Sequence, residues 1–299
     1  MKKLIVITGP TGVGKTDIAI RLAKEYHAEI ISADSRQIYR DIPIGTAMAT
    51  EEQQREVPHH FVGIFNLDEY YSAAQFETDV MNLLPQLFEK SDYAVMCGGS
   101  MMYVDAVCKG IDDIPTINDN IRKEVQETFE TKGFDFLKTE LQRLDPVYYE
   151  QVDLNNHKRV IHAVEICLQS GKRYSDLRKN EIKQRPFQII KIGLNLPREQ
   201  LFERINQRVL NMVKEGLIDE AKRFYPQRQL NSLNTVGYKE LFAWMNGDMD
   251  YETAIARIQK NTRVYAKKQL TWYKKDTEIK WFEPTAYDEI LSYIQAIAK

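Results

Sequence analysis

At 299 residues, 43% hydrophobic and 28% charged, the chain is long enough for two domains, or one domain with a large insertion, and apolar enough to bury a core. A net charge of −2 excludes a polycation that grips nucleic acid with its whole surface, so any such contact must come from a local patch. Three scattered cysteines, Cys97, Cys108 and Cys167, form no C-x-x-C pair, which argues against zinc and disulfides, and no apolar run is long enough to span a bilayer. The expectation is a cytoplasmic protein with free thiols, no leader peptide and no membrane contact.

In chain order, Leu4-Ile5-Val6-Ile7 reads as a buried strand and Asp17 to Ala23 as a helix. Between them Gly9-Pro10-Thr11-Gly12-Val13-Gly14-Lys15-Thr16 matches G-x-x-x-x-G-K-[ST] with no mismatch. Strand, glycine loop and helix is the context this phosphate-binding motif requires. Its backbone N–H groups form a nest for anionic oxygens at a helix N-terminus. Lys15 adds a movable positive charge, and the Thr16 hydroxyl is placed to ligate a Mg²⁺ held by the same phosphates. Such loops bind nucleotides, ATP among them, and the motif alone does not say which phosphates this one holds.

Ala28 to Ala33 reads as a second strand, ending at Asp34-Ser35-Arg36-Gln37. In open α/β sheets ligands collect at the carboxyl ends of strands, so Asp34 is expected beside the glycine loop. There it could take a proton from an attacking group; the alternatives are a helix cap or a structural acceptor. The stretch from Asp41 to Phe65 reads mostly as loop, and its His59-His60 pair has no third partner to complete a metal site. Ser72 to Phe88 has a Ser cap and helical spacing of Phe76, Val80, Leu83, Leu84 and Leu87. Tyr93 to Cys97 is a third strand, broken at Gly98-Gly99-Ser100 before a short helix from Met101 to Cys108. That strand ends without a carboxylate, unlike the metal-holding strand of a motor or switch GTPase. Ser100 and Tyr103 could reach the same ligand, or Ser100 could simply cap the helix.

From Asn118 to about Arg178 only helical patterns appear, clearest at Ile121–Phe129, Phe134–Leu144 and His157–Leu168. Pro186 to Leu194 returns to strand. Pro197 opens a long amphipathic helix with Leu201, Ile205, Val209 and Met212 on one face. Arg204 and Arg208, four apart, share another face; they suit diphosphate oxygens, or only a solvated surface. From about Leu217 to Lys268 the pattern is helical again. Between Arg257 and Lys275 there is no acid, while Arg257, Lys260, Arg263, Lys267, Lys268, Lys274 and Lys275 are interleaved with Tyr265, Trp272 and Tyr273. Such a stripe fits a phosphate backbone with stacked bases, the alternative being an exposed helix face. Alternating strands and helices favour a doubly wound α/β core at 1–115 and 186–299, with a helical insertion domain at 116–185.

Taken together, GPTGVGKT, ISADSRQIY, PHHF, CGGSMMY, KRVIHAVE, RVLNMVKEGLIDE, TVGYKE and RVYAKKQLTWYKK resemble, in order from Gly9 to Lys275, the bacterial tRNA dimethylallyltransferases (tRNA isopentenyltransferases). The resemblance implies a P-loop NTPase-like parallel sheet core with a helical insertion and helical C-terminal additions. It implies transfer of a dimethylallyl group from dimethylallyl diphosphate to N6 of the adenosine just 3′ of the anticodon in tRNA, with Mg²⁺. Gly9, Thr11, Gly12, Val13, Gly14, Lys15 and Thr16 would then hold the diphosphate, with Arg208 assisting, and Asp34 would act as base. The tRNA anticodon stem-loop would meet Asp34, Ser35, Arg36, Gln37 and Ser100, with Gln37 on an adenine edge. It would also meet Arg122, Lys158 and Arg159 of the insert and Arg263, Lys267 and Lys268 of the tail. A monomer is expected. Two departures stand out: relatives commonly carry Arg where this chain has His162 and Thr where it has Ser100. The competing readings are a phosphotransferase acting on a small metabolite, in which the basic tail has no job, and a noncatalytic RNA-binding protein with a nucleotide-sensing loop, which a prenyl adduct on tRNA would exclude.

Overall fold

A computed structural model describes residues 1–179 and 181–298. The chain divides into two compact units, one formed by Met1–Cys108 with Gln184–Lys299 and the other by Lys109–Lys183.

The larger unit is built on a parallel sheet. Its strands are β1 (Lys3–Thr8), β2 (Ile30–Ser32), β3 (His59–His60), β4 (Tyr93–Cys97), β5 (Gln188–Leu194) and β6 (Lys280–Phe282), in the spatial order β3-β2-β4-β1-β5-β6. Leu4, Ile5, Val6 and Ile7 of β1 are completely buried because helices cover both faces of the sheet. Alternation divides them: Leu4 and Val6 join one core with Ile31 and Met96, while Ile5 and Ile7 join another with Ile30, Val95, Ile190 and Ile192. Register then decides where the site lies. Cys97 is level with Ile7 on one side and with Ser32 on the other. The glycine loop after β1, Asp34 after β2 and Gly98-Gly99 after β4 therefore leave the same edge of the sheet. That edge is the crevice in which open α/β sheets bind ligands.

In chain order the helices are α1 (Lys15–Glu25), α2 (Pro43–Thr46), α3 (Glu51–Glu56), α4 (Ala73–Lys90), α5 (Met101–Lys109), α6 (Asp119–Lys132), α7 (Phe134–Leu144), α8 (Pro146–Gln151), α9 (His157–Ser170), α10 (Tyr174–Leu177), α11 (Arg198–Lys214), α12 (Leu217–Phe224), α13 (Tyr238–Met245), α14 (Tyr251–Tyr273) and α15 (Tyr287–Ile297). One expectation needs correction. The Asp41–Phe65 stretch holds α2, α3 and β3, none long enough to show a period in sequence. The region from Leu217 to Lys268 is helical as expected, divided into α12 to α14, with 3₁₀ turns at Tyr225–Gln227 and Asn231–Leu233. Pro226 and Gly237 interrupt it, the former lacking an N–H and the latter holding a positive φ of 103°. Beyond the basic stripe, β6 and α15 complete the sheet edge and bury Ile290 and Ile294.

The smaller unit contains α6 to α10. Val125, Leu137, Leu141, Tyr148, Val160, Ala163 and Val164 form its core. Fully buried Asp145 accepts hydrogen bonds from the Tyr148 N–H, the Ser175 N–H and the Ser175 hydroxyl, capping α8 and tying it to α10.

Candidate active site

The glycine loop is held by contacts that a side chain would destroy. A Cβ on Gly9, whose φ is +143°, would stand 2.4 Å from the Leu194 carbonyl oxygen. The loop therefore lies directly on the end of β5. Lys15 turns back over it, its Nζ donating to the Gly9 oxygen at 3.1 Å and the Pro10 oxygen at 2.9 Å. Burial pulls the Lys15 pKa down from 10.5 to about 8, against the opposing influence of Asp34.

The loop borders two cavities. One, of about 1030 Å³, is lined by Thr11, Gly12, Gly14, Lys15 and Thr16 of the loop, by Asp34, and by Cys97, Gly98 and Gly99. It also takes in Arg204, Gln207, Arg208, Asn211, Met212 and Glu215, residues spaced three and four apart that form one face of α11 and its C-terminal end. The second, of about 510 Å³, is lined by Ser35, Arg36, Ser100, Asn234, Thr235 and Lys268 among others. Thr11, Asp34, Thr46, Arg208, Met212 and Tyr265 line both. Asp34 stands at this junction. Its Oδ1 accepts from the N–H groups of Arg36 at 2.9 Å and Gln37 at 3.4 Å. The cap expected as the alternative to catalysis therefore exists, and it uses one oxygen. Burial draws the Arg208 guanidinium below its ordinary pKa, with Asp34 opposing.

The Thr16 hydroxyl is a single hard donor on the cavity wall, and β4 ends in Cys97, whose thiol burial pushes up to about 12. Among the described residues no cluster of three His, Cys, Asp or Glu side chains could hold a metal. A Mg²⁺ held here would need most of its oxygens from a bound anion, with the Thr16 hydroxyl supplying one.

The model of the IPP transferase family matches residues 37–276. The chain belongs to that family. It is 54% identical over 298 residues to the protein named tRNA dimethylallyltransferase 1 of Bacteroides fragilis, covering 100% of this chain and 99% of that one. It is 54% identical over 294 residues to tRNA dimethylallyltransferase 2 of Parabacteroides distasonis, with 98% of each covered. Among solved structures it resembles the tRNA isopentenylpyrophosphate transferase of Bacillus halodurans, with a TM-score of 0.72 and 35% identity over 99% of this chain and 96% of that one. It also resembles a eukaryotic dimethylallyltransferase acting on tRNA, with a TM-score of 0.76 and 28% identity over 91% of this chain and 70% of that one.

Of the residues singled out by sequence, the loop, Asp34, Ser35, Arg36, Gln37, Ser100, Arg208 and Lys268 meet around the two cavities. Several are engaged with the protein. Arg36 donates to the carbonyls of Asn231 and Ser232. Gln37 accepts from the Ser32 hydroxyl and donates to the carbonyls of Thr46 and Ala47, so its amide anchors a neighbouring segment. The Ser100 hydroxyl accepts from the Ser35 N–H at 2.8 Å, linking two strand ends. Tyr103 belongs to the core, stacked 4.4 Å from Phe76, and Tyr273 is buried, so neither faces a ligand.

On α14 the basic residues from Arg257 to Lys268 fall within roughly 140° of arc at 100° per residue. The buried Ala254, Ile258, Ala266, Gln269 and Tyr273 occupy the opposite side. Arg263 donates to Asn206 and lies 5.9 Å from the Phe202 ring centroid, while Lys267 lies 5.4 Å from it. Arg122, Lys158 and Arg159 lie in the smaller unit, on α6 and α9. His59 Nδ1 donates to the Val57 carbonyl, and His60 pairs with Glu29, consistent with a place in a short edge strand.

Sequence reading missed Gln269. It is 1% exposed; its Oε1 accepts from the Thr11 N–H at 2.8 Å and its Nε2 donates to the Gly99 oxygen at 2.8 Å. A Cβ on Gly99 would stand 2.4 Å from that Nε2. One glutamine thus joins the loop, the end of β4 and the basic helix. Its signal was a lone amide in the apolar stripe of α14. Gln269→Ala leaves two backbone groups without their partner, and we expect it to destabilise the fold by about 2–4 kcal/mol in urea denaturation.

Lys15 also predicts a pH dependence. Its proton binds with a pKa of about 8, and a bound diphosphate would raise that value. Diphosphate affinity should therefore be steady below pH 8 and fall by up to about tenfold per pH unit above it. Calorimetric titration with inorganic diphosphate and Mg²⁺ between pH 7 and 9.5 checks this; a flat profile contradicts it.

Proposed function

We propose that this protein is a tRNA dimethylallyltransferase that moves a dimethylallyl group from its diphosphate to N6 of the adenosine 3′-adjacent to the anticodon. Family membership and the full-length likeness to proteins of that name support the reading. The observation that carries its chemistry is the junction of two cavities at Asp34, Thr11 and Arg208.

In this scheme the larger cavity takes the prenyl diphosphate, with its phosphates on the loop, and the smaller takes a purine turned out of the anticodon loop. An exocyclic adenine amine is a weak nucleophile. As N6 bonds to C1 of the prenyl group, the C1–O bond breaks and its electron pair leaves with the diphosphate. The N6 proton passes to Asp34, whose Oδ1 is fixed by two N–H groups while the carboxylate borders both cavities. The loop N–H groups, Lys15 and Arg208 stabilise the charge growing on the leaving group. A Mg²⁺ on Thr16 and the phosphate oxygens would neutralise part of that charge. The outward basic face of α14 would hold the tRNA backbone, its Lys268 reaching the smaller cavity.

The test is direct. The purified protein is incubated with Mg²⁺, dimethylallyl diphosphate and an unmodified tRNA carrying that adenosine. The expected product is tRNA heavier by one C5H8 unit, with one diphosphate released per adduct. No adduct, or consumption of ATP in its place, overturns the proposal.

A further inference from the structure

Glu220 and Tyr238 have no part in the scheme above, although Leu217, Thr235 and Lys239 of the same stretches line the smaller cavity. In the fold both side chains meet the segment from Ile42 to Met48, much of which forms the lip of the larger cavity. Glu220 is 6% exposed. Its Oε2 accepts from the Ile44 N–H at 3.0 Å and its Oε1 from the Gly45 N–H at 2.8 Å. The hydroxyl of Tyr238, a completely buried side chain, donates to the same Oε1. Burial and the adjacent carboxylate raise the Tyr238 pKa, which keeps the phenol a donor. A Cβ on Gly45 would stand 2.4 Å from the Tyr238 oxygen, so only glycine lets the lip approach this pair.

The lip has other restraints. One helical turn along α12 from Glu220, Arg223 donates to the Asp41 carbonyl at 3.0 Å. From the opposite side Gln37 holds the Thr46 and Ala47 carbonyls. Ala47 sits in the left-handed region at φ 47°, a conformation non-glycine residues keep only when their surroundings impose it. Ile44 and Met48 of the lip line the larger cavity, with Met212 of α11 among its other apolar walls.

We infer that Glu220, with Tyr238, is a positioning residue that fixes the lip and so sets the room available to the prenyl chain, selecting a five-carbon donor over a longer one. This rests on the function proposed above. Neither side chain touches the reacting atoms. Their action runs through the backbone of Ile44 and Gly45.

The test uses Tyr238→Phe and Glu220→Gln in the full chain. The first removes one hydrogen bond. The second turns an amide NH₂ toward a backbone N–H, so one of those donors loses its acceptor. Two readouts are taken. Hydrogen exchange at residues 42–48 should quicken by about tenfold in Tyr238→Phe and by more in Glu220→Gln. The ratio of kcat/KM for geranyl diphosphate to that for dimethylallyl diphosphate should rise several-fold, with KM changing more than kcat. This ratio is independent of the fraction of folded protein, so mere destabilisation would not move it. If Glu220→Gln does not fold, Tyr238→Phe still decides. Unchanged exchange at the lip, or an unchanged ratio in folded variants, overturns the inference. A wild-type protein that transfers neither prenyl group overturns the proposed function, while lip exchange still reports on the clamp by itself.

Discussion

Asp34→Asn should lower kcat for tRNA prenylation by about 10² to 10⁴-fold while tRNA affinity stays within about twofold. An asparagine keeps an oxygen for the Arg36 and Gln37 N–H groups, so the turn that Asp34 caps survives. What it loses is the ability to take a proton. Single-turnover prenylation with excess enzyme measures the chemical step, and filter binding of labelled tRNA measures affinity. A variant that modifies tRNA at the parental rate would remove Asp34 from the mechanism. One that loses tRNA binding in proportion to rate would make it a binding residue only. The position at the junction of the two cavities favours the proton-transfer role, because a carboxylate there borders both reactants.

Lys15→Met should lower kcat by about 10² to 10³-fold and, in contrast to most substitutions, raise stability. The sign follows from its titration. In the unfolded chain Lys15 has the ordinary pKa of 10.5, and in the folded chain about 8. Below pH 8 folding therefore carries the full cost of burying the charge, and the cost fades as the pH rises from 8 to 10.5. Lys15 is only half-buried and one side of it faces the cavity, so solvent screening reduces the gain on substitution to about 1–2 kcal/mol. Urea denaturation at pH 7 and at pH 10.5 checks this: the difference between variant and parent should shrink at the higher pH. A variant less stable than the parent at pH 7 would show that the bonds to the Gly9 and Pro10 carbonyls outweigh the desolvation of the ammonium group.

Much of this was legible before any coordinates. The apolar run of β1, the glycine loop and the first turn of α1 are local features. Backbone N–H groups facing one point need only the glycines and the helix start. The α14 stripe was legible too, because helical periodicity puts its lysines and arginines together whatever it packs against. Asp34 could be placed near the loop because strands of a parallel sheet end on one side. The short pieces between Asp41 and Phe65 were hidden, since a four-residue helix and a two-residue strand carry no period. Tyr103 and Tyr273 show the converse limit: an aromatic beside a glycine turn or inside a basic run looks available for stacking, and only packing reveals that it is core.

Sequence by itself thus determined the glycine turn, the strand-end carboxylate and the basic helix face, because each depends on local chemistry within a few residues. Tertiary structure alone decided what those parts do to one another. It gave Gln269 its bonds to Thr11 and Gly99, turned the Gln37 amide onto the lip and brought Glu220 and Tyr238 against Gly45. The partners in most of these contacts stand more than a hundred residues apart, and they meet because glycines let backbones approach where no periodic pattern records the approach.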